Sequence, residues 1–332
     1  MELRNFGNTG LMVTPIGLGM AALGRPGYIN LGHADDLEKK YEVEKMEDNA
    51  HQVIEAAWQA GIRYFDAARS YGKGEEFLGN WLRKHDVTFG EVTIGSKWGY
   101  TYTAGWKVKA EKHEVKEHTL PVLQRQWQES YENLNPFLKL YQIHSATLDS
   151  GVLENKEVLN HLLQLKEKGL KVGLSLSGDE QGKTLEKAFE IESGGILLFD
   201  SVQATWNVLE PSVGKQLQKA ANFGMGVIIK EVLANGRLTP RNHNPAFKDK
   251  MGLLQKIAEK YGTTIDALVI AVALQQPFVH LVLSGAATVD HLQSNVKATH
   301  LSLSQKDCQY LIEQLQESPA EYWQIRKQLE WN

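Results

Sequence analysis

The chain has 332 residues, 42% of them hydrophobic and 23% charged, with a formal net charge of −4. These proportions suit a globular protein with a large core, and the charge offers neither the basic excess of a nucleic-acid binder nor an acidic tail for a cationic partner. A single cysteine, Cys308, excludes an intrachain disulfide or a cysteine-built metal centre. The start, Met1-Glu2-Leu3-Arg4-Asn5-Phe6, lacks the pattern of a signal peptide, and no run approaches the roughly 18 apolar residues of a membrane span. The expectation is a cytoplasmic protein without membrane contact.

In chain order, residues 1–7 and 11–13 flank the turn Asn8-Thr9-Gly10 and predict a small hairpin. Strand-length apolar runs then alternate with helix-length amphipathic stretches. Strand 16–19 leads through a long loop, 21–46, to helix 49–60, and strand 63–66 leads to helix 75–84. Strand 92–97 leads through a second long loop, 98–112, to helix 118–133. Strands 138–144, 170–176, 200–204 and 226–231 precede helices 158–168, 184–192, 211–222 and a pair within 251–275. Strand 281–284 and helix 289–298 complete the last unit. Helices 304–317 and 322–328 follow, with Cys308 an inert buried thiol in the first of them. Eight such units imply a parallel sheet closed as a (β/α)8 TIM barrel, with the hairpin as a cap and extra C-terminal helices. No composition break divides residues 1–332, so one domain is expected.

Three successive strands end on ionisable residues, Asp66, Lys97 and His144, and Tyr71 follows Asp66 by five positions. Adjacent parallel strands lie ~4.8 Å apart, so these side chains can converge at the C-terminal mouth, where barrel enzymes place their sites. A free phenol titrates near ~10, and a neighbouring ammonium would lower that value. Asp66 is expected to pair with Lys97, and His144 to orient a substrate oxygen, which is the equipment for general acid–base transfer to a carbonyl. Aromatic residues on or near the loops, Trp98, Tyr100, Trp106 and Trp206, are expected to wall the substrate pocket. Gly17-Leu18-Gly19-Met20-Ala21-Ala22 fits a dinucleotide fingerprint, but Gly24, Pro26 and Gly27 break the helix that motif requires. The histidines show no metal-ligand spacing, and no metal is expected.

These residues bring a family into view. The chain resembles the aldo-keto reductases along nearly its whole length, through Gly10-Leu11-Met12-Val13, Gly17-Leu18-Gly19, Phe65-Asp66 with Tyr71-Gly72, Ser96-Lys97, Ile143-His144, Val202-Gln203 with Asn207, and Ser284-Gly285 with His291-Leu292 and Asn295. The resemblance implies that Asp66, Tyr71, Lys97 and His144 form the catalytic tetrad, with Tyr71 the proton donor in reversible hydride transfer between NAD(P)H and an aldehyde, ketone or sugar hemiacetal. It implies cofactor contacts from Gly19, Met20 and Asp66, from Ser175 and Gln203 at the nicotinamide, and from Lys230, Glu231, Val232, Leu233 and Gly236 along the pyrophosphate. Ser284, Gly285, His291, Ser294 and Asn295 would grip the adenosine end, near a helix N-terminus suited to anions.

The departures bear on the cofactor. Leu176 follows Ser175 where the family often has Asn, Lys230 stands where an aromatic ring often stacks on the nicotinamide, and Ser294 replaces the usual glutamate. His291 aligns with the arginine that many members use for a 2′-phosphate, leaving Arg241 or Arg237 to supply that charge. Family habit then favours NADP(H) over NAD(H). Two further readings follow from the resemblance. One is an NAD-dependent aldose dehydrogenase oxidising sugar C1, as in the branch containing L-galactose dehydrogenase. The other is a nicotinamide-binding regulatory subunit, like the potassium-channel β subunits. The expected partner is a small carbonyl or sugar substrate, with no nucleic acid.

Overall fold

The computed structural model describes residues 1–332. Eight strands carry the predicted apolar runs: β1 (Ile16–Gly19), β2 (Tyr64–Asp66), β3 (Thr93–Trp98), β4 (Leu138–Ala146), β5 (Lys171–Leu176), β6 (Ser201–Thr205), β7 (Gly226–Lys230) and β8 (Leu281–Ser284). Each pairs in parallel with the next, and β8 pairs back onto β1, Val282 opposite Ile16, so the sheet closes into a barrel. Continuous apolar runs fit strands buried on both faces, and nearly every strand residue is buried.

The helices are α1 (Val43–Gln59), α2 (Gly74–Lys84), α3 (Leu120–Leu134), α4 (Lys156–Glu167), α5 (Gln181–Ala188), α6 (Gly214–Asn222), α7 (Lys248–Lys260), α8 (Ile265–Leu274), α9 (Val289–Val296), α10 (Gln305–Leu315) and α11 (Pro319–Lys327). Most bury one stripe: α1 turns Met46, Ala50, Val53, Ile54 and Ala57 inward. By contrast α8 is apolar nearly all round and packs between α7, α9 and β8. Cys308 is buried on α10. No helix is long and apolar enough to cross a membrane.

A separate apolar cluster fills the barrel lumen: Phe6, Val13, Tyr64, Leu140, Ile228, Leu281 and Leu283. The N-terminal hairpin, Arg4–Asn5 against Met12–Val13, drives Phe6 into the lower end. Its ring lies 6.3 Å from that of Tyr64, and a Cβ on Gly226 would fall 2.4 Å from it, so a side chain there would displace the plug. With that end sealed, only the mouth at the strand C-termini can admit a ligand.

The structure departs from the sequence expectations at the connections. Helix α1 begins at Val43 rather than at 49, because its first turns are charged on the solvent side and look like loop. The loop after β1 contains a short helix, His33–Asp36. The loop after β3 is an antiparallel ribbon, Tyr100–Tyr102 against Glu114–Lys116. Helix α5 stops at Ala188, and Glu192–Ser193 pairs with Ile196–Leu197 where the helix was expected to end.

Candidate active site

Strand register brings the four predicted side chains to one rim. Asp66 lies opposite Gly95 between β2 and β3, and Lys97 lies opposite Gln142 between β3 and β4. A Cβ on Gly95 would fall 2.5 Å from the Tyr64 hydroxyl and 3.6 Å from Asp66 Oδ1, so glycine there leaves room beneath the carboxylate. Lys97 Nζ donates to Asp66 Oδ2 in a short buried contact, and to the Ala67 carbonyl at 2.8 Å. Gln203 Nε2 donates to Asp66 Oδ1 at 3.0 Å. In β4 the register shifts between Ile143 and Ala146, with Ser145 at a φ of 52°. Such a bulge re-aims the neighbouring side chain, and His144 faces the mouth. Its ring meets that of Tyr71 edge-on at 5.6 Å, while Lys97 Nζ lies 4.9 Å from the Tyr71 ring centre.

The electrostatics overturn one expectation. Burial, and then the Asp66 carboxylate, hold the Tyr71 phenol well above its ordinary pKa, with only Arg25 among its near charges pulling strongly the other way. Lys97 does not bring the phenol below its ordinary value, because its charge is paired with Asp66. Burial, reinforced by Lys97, Lys230 and Arg25, pushes the His144 imidazole well below its usual value. A neutral imidazole retains one N–H donor and one acceptor. The rim therefore presents an uncharged phenol and an uncharged imidazole side by side.

Above them opens a cavity of about 580 Å³ lined by Asp66, Tyr71 and His144, within the ~300–1,000 Å³ usual for ligand sites. Lys230, Glu231, Val232, Leu233, Gly236, Arg241, His291, Ser294 and Asn295 also line it.

A family model described as Aldo/keto reductase family matches residues 15–316. The chain belongs to that family. The L-glyceraldehyde 3-phosphate reductase of Escherichia coli (strain K12) is 23% identical, over 98% of this chain and 95% of that protein. The pyridoxal 4-dehydrogenase of Microbacterium luteolum is 25% identical, over 89% and 92%. Among solved structures, the holo form of an aldo-keto reductase from Bacillus halodurans superposes with a TM-score of 0.72 at 18% identity, covering 96% of this chain and 97% of that one. Aldo-keto reductases are nicotinamide-dependent oxidoreductases acting on small molecules, and this chain is an enzyme of that kind.

The donor set of this aldo-keto reductase fits an extended dinucleotide. Gly19, Gln203, Ser284 and Gly285 also line the cavity, and Gly285 has open space before it. Asn235, at a φ of 55°, also lines the cavity, and its buried side-chain Oδ1 has no protein partner. Asn295 donates to Asp266 Oδ2 at 2.8 Å and accepts from Ser284 Oγ at 2.9 Å. Two predicted contacts lie elsewhere. Met20 is buried beneath the wall, and the Ser175 hydroxyl is buried under the β4 bulge, accepting from Ser145 N at 2.8 Å; Ser177 lines the cavity instead.

The expected aromatic wall also needs correction. Tyr100 lines the cavity, its ring 5.0 Å from that of His144. Trp98 ends β3 fully buried against His118, because in a strand buried on both faces it points away from the lumen. Trp106 donates from Nε1 to the Tyr41 carbonyl at 2.6 Å and packs on Phe77. Trp206 is buried against Phe278. Neither lines the cavity.

Sequence reasoning missed Arg25, Tyr28 and Glu114, and left Trp331 open between packing under the barrel and a C-terminal lid. Arg25 donates to the Ser70 carbonyl at 2.9 Å and to Glu114 at 2.8 Å, and lies 5.5 Å from the Tyr71 ring. Trp331 rests on the Arg25 guanidinium at 4.7 Å and stacks on His113 at 4.0 Å. Asn332 pairs through backbone with Tyr28, both hydrogen bonds 3.1 Å. The loop after β1, the ribbon and the C-terminal tail thus roof the mouth together. The visible signal was an arginine bracketed by Gly24 and Pro26 in a loop leaving a strand's C-terminal end.

Proposed function

We propose that the chain reduces the carbonyl of a small aldehyde, ketone or open-chain sugar, reversibly, with Tyr71 as the general acid. The supporting observation is the Tyr71 phenol in the cavity lining, edge-on to the His144 ring at 5.6 Å and beside the buried Lys97–Asp66 pair, in surroundings that favour the neutral form of both rings. A nicotinamide coenzyme bound there supplies or accepts the hydride. Tyr71 passes its proton to the carbonyl oxygen as the carbon gains the hydride, so the oxygen leaves as a hydroxyl. His144 donates to that oxygen and fixes its position. As the phenolate forms, Lys97 and Arg25 are the cations near enough to stabilise it, and Asp66 keeps the Lys97 ammonium in place.

The substrate end favours a hydroxylated compound. Arg25 and Glu114 offer a fixed donor and acceptor side by side, and Tyr28, Tyr100 and Trp331 offer aromatic faces. This supports, as a second reading, oxidation of an aldose at its hemiacetal C1 to a lactone, in which the C1 hydroxyl gives up its proton to Tyr71 and C1 gives up a hydride to the oxidised coenzyme.

Tyr71→Phe removes the proton and little volume. General acid catalysis contributes about 10²–10⁴-fold, so coenzyme oxidation with a panel of aldehydes and aldoses, followed at the nicotinamide absorbance band, is expected to fall by that factor while coenzyme binding persists. Undiminished turnover would show that another group protonates the substrate.

A further inference from the structure

Resting on the reading of the cavity as a nicotinamide-dinucleotide site, we propose that this chain selects the unphosphorylated coenzyme, NAD(H), and that Asp36 on the loop after β1 enforces the choice. The cavity lining includes Asp36, Arg241, Asp266 and His291, the last at the start of α9. The Arg241 guanidinium is already engaged. Its Nη2 donates to Asp36 Oδ1 in a short ion pair, its Nη1 reaches the Gly32 carbonyl at 3.2 Å, and Nη2 stands 3.2 Å from His291 Nε2. Asp36 Oδ1 is itself 3.8 Å from His291 Nε2, and its side chain is only 8% exposed. Besides this pair the lining holds a second carboxylate, Asp266, fixed by Asn295.

A ribose 2′-phosphate would bring a second strong anion against Asp36. It could take Arg241 only by displacing that carboxylate, and with it the short helix His33–Asp36 that helps roof the cavity. The lysines that share an adjoining groove with Asp36 do not offset this. Lys40 is paired with Glu38, and Lys45 faces an adjoining groove shared with Asp48 and Asp290. A free 2′-hydroxyl, by contrast, can donate to a carboxylate oxygen, the contact by which acidic residues read NAD in other dinucleotide sites. The segment Val232–Gly236 is also covered, since Leu31 N donates to the Asn235 carbonyl at 3.1 Å, so the loop bearing Asp36 is fastened at both ends of its crossing.

The test is equilibrium titration of the full-length protein with NADH and with NADPH, read by nicotinamide fluorescence without any substrate. Wild type is expected to bind NADH at least tenfold more tightly. Asp36→Asn, and separately Asp36→Ser, are expected to narrow the ratio at least fivefold by strengthening NADPH binding. Equal or tighter NADPH binding by wild type overturns the proposal, and so does an unchanged ratio in both folded variants. Failure of wild type to bind either nucleotide would instead remove the dinucleotide reading beneath it.

Discussion

Arg326→Met tests how the C-terminal segment is fastened to the cavity wall. Glu231 follows β7 at a φ of 53° with its side chain 8% exposed. Arg326 Nε, from α11, donates to both carboxylate oxygens at 3.0 and 2.9 Å. Burial alone would raise the Glu231 pKa; Arg326 and then Lys230 outweigh it and hold the carboxyl at about 2, against an ordinary 4.5. At about 1.4 kcal/mol per unit this corresponds to roughly 3 kcal/mol, and removing one partner of a buried pair typically costs about 3–5 kcal/mol. Urea unfolding followed by circular dichroism is therefore expected to show a loss of about 3 kcal/mol in the variant at pH 7.

The pH dependence separates this cause from a general loss of packing. A carboxyl depressed in the folded state stabilises fully above its unfolded value of 4.5, and the contribution fades as pH falls toward about 2. Without Arg326, burial raises the same carboxyl, so the variant gains relief as that group protonates. The gap between the two proteins should narrow as pH falls from 7 toward 4. The double variant Arg326→Met with Glu231→Gln should recover most of the loss at pH 7. A single variant as stable as wild type, or a gap independent of pH, would refute the assignment.

Lys230 gives a functional prediction. Burial draws its amine down to about 8, so raising the pH from 7 to 9 removes a positive charge from the cavity. Oxidised coenzyme, whose nicotinamide is cationic, should bind more tightly across that range, and Lys230→Met should flatten the trend in a fluorescence-quenching titration. Phe6→Ala empties the plug of the barrel's lower end and should cost about 3–5 kcal/mol in chemical unfolding. Coenzyme affinity should be unchanged, because Phe6 lies at the opposite end from the mouth.

The barrel was legible because its strands are buried on both faces, which makes each a short, nearly unbroken apolar run. Strands 16–19 and 281–284 have the expected bounds, and the rest lie within two or three residues of them. The connections were not. The partners of Tyr100–Tyr102 lie beyond a stretch of Gly, Lys and Glu with no apolar alternation, so the ribbon depends on contacts that local pattern does not carry. Trp98 shows the same limit at one residue. Its identity suggested a pocket wall, whereas strand alternation turns it outward, under α3.

The four polar residues at the rim were readable as a set, yet their electrical relation was not. Placed side by side in sequence logic, Lys97 acts on Tyr71. In the folded barrel, Lys97 donates to Asp66 and Ala67, so the carboxylate offsets part of the pull of its ammonium on a ring 4.9 Å away. Arg25 also favours the phenolate, and Glu114 opposes it. With both cations countered, the buried phenol keeps its proton. Reduction needs that proton on Tyr71 at the outset, whereas oxidation must first remove it.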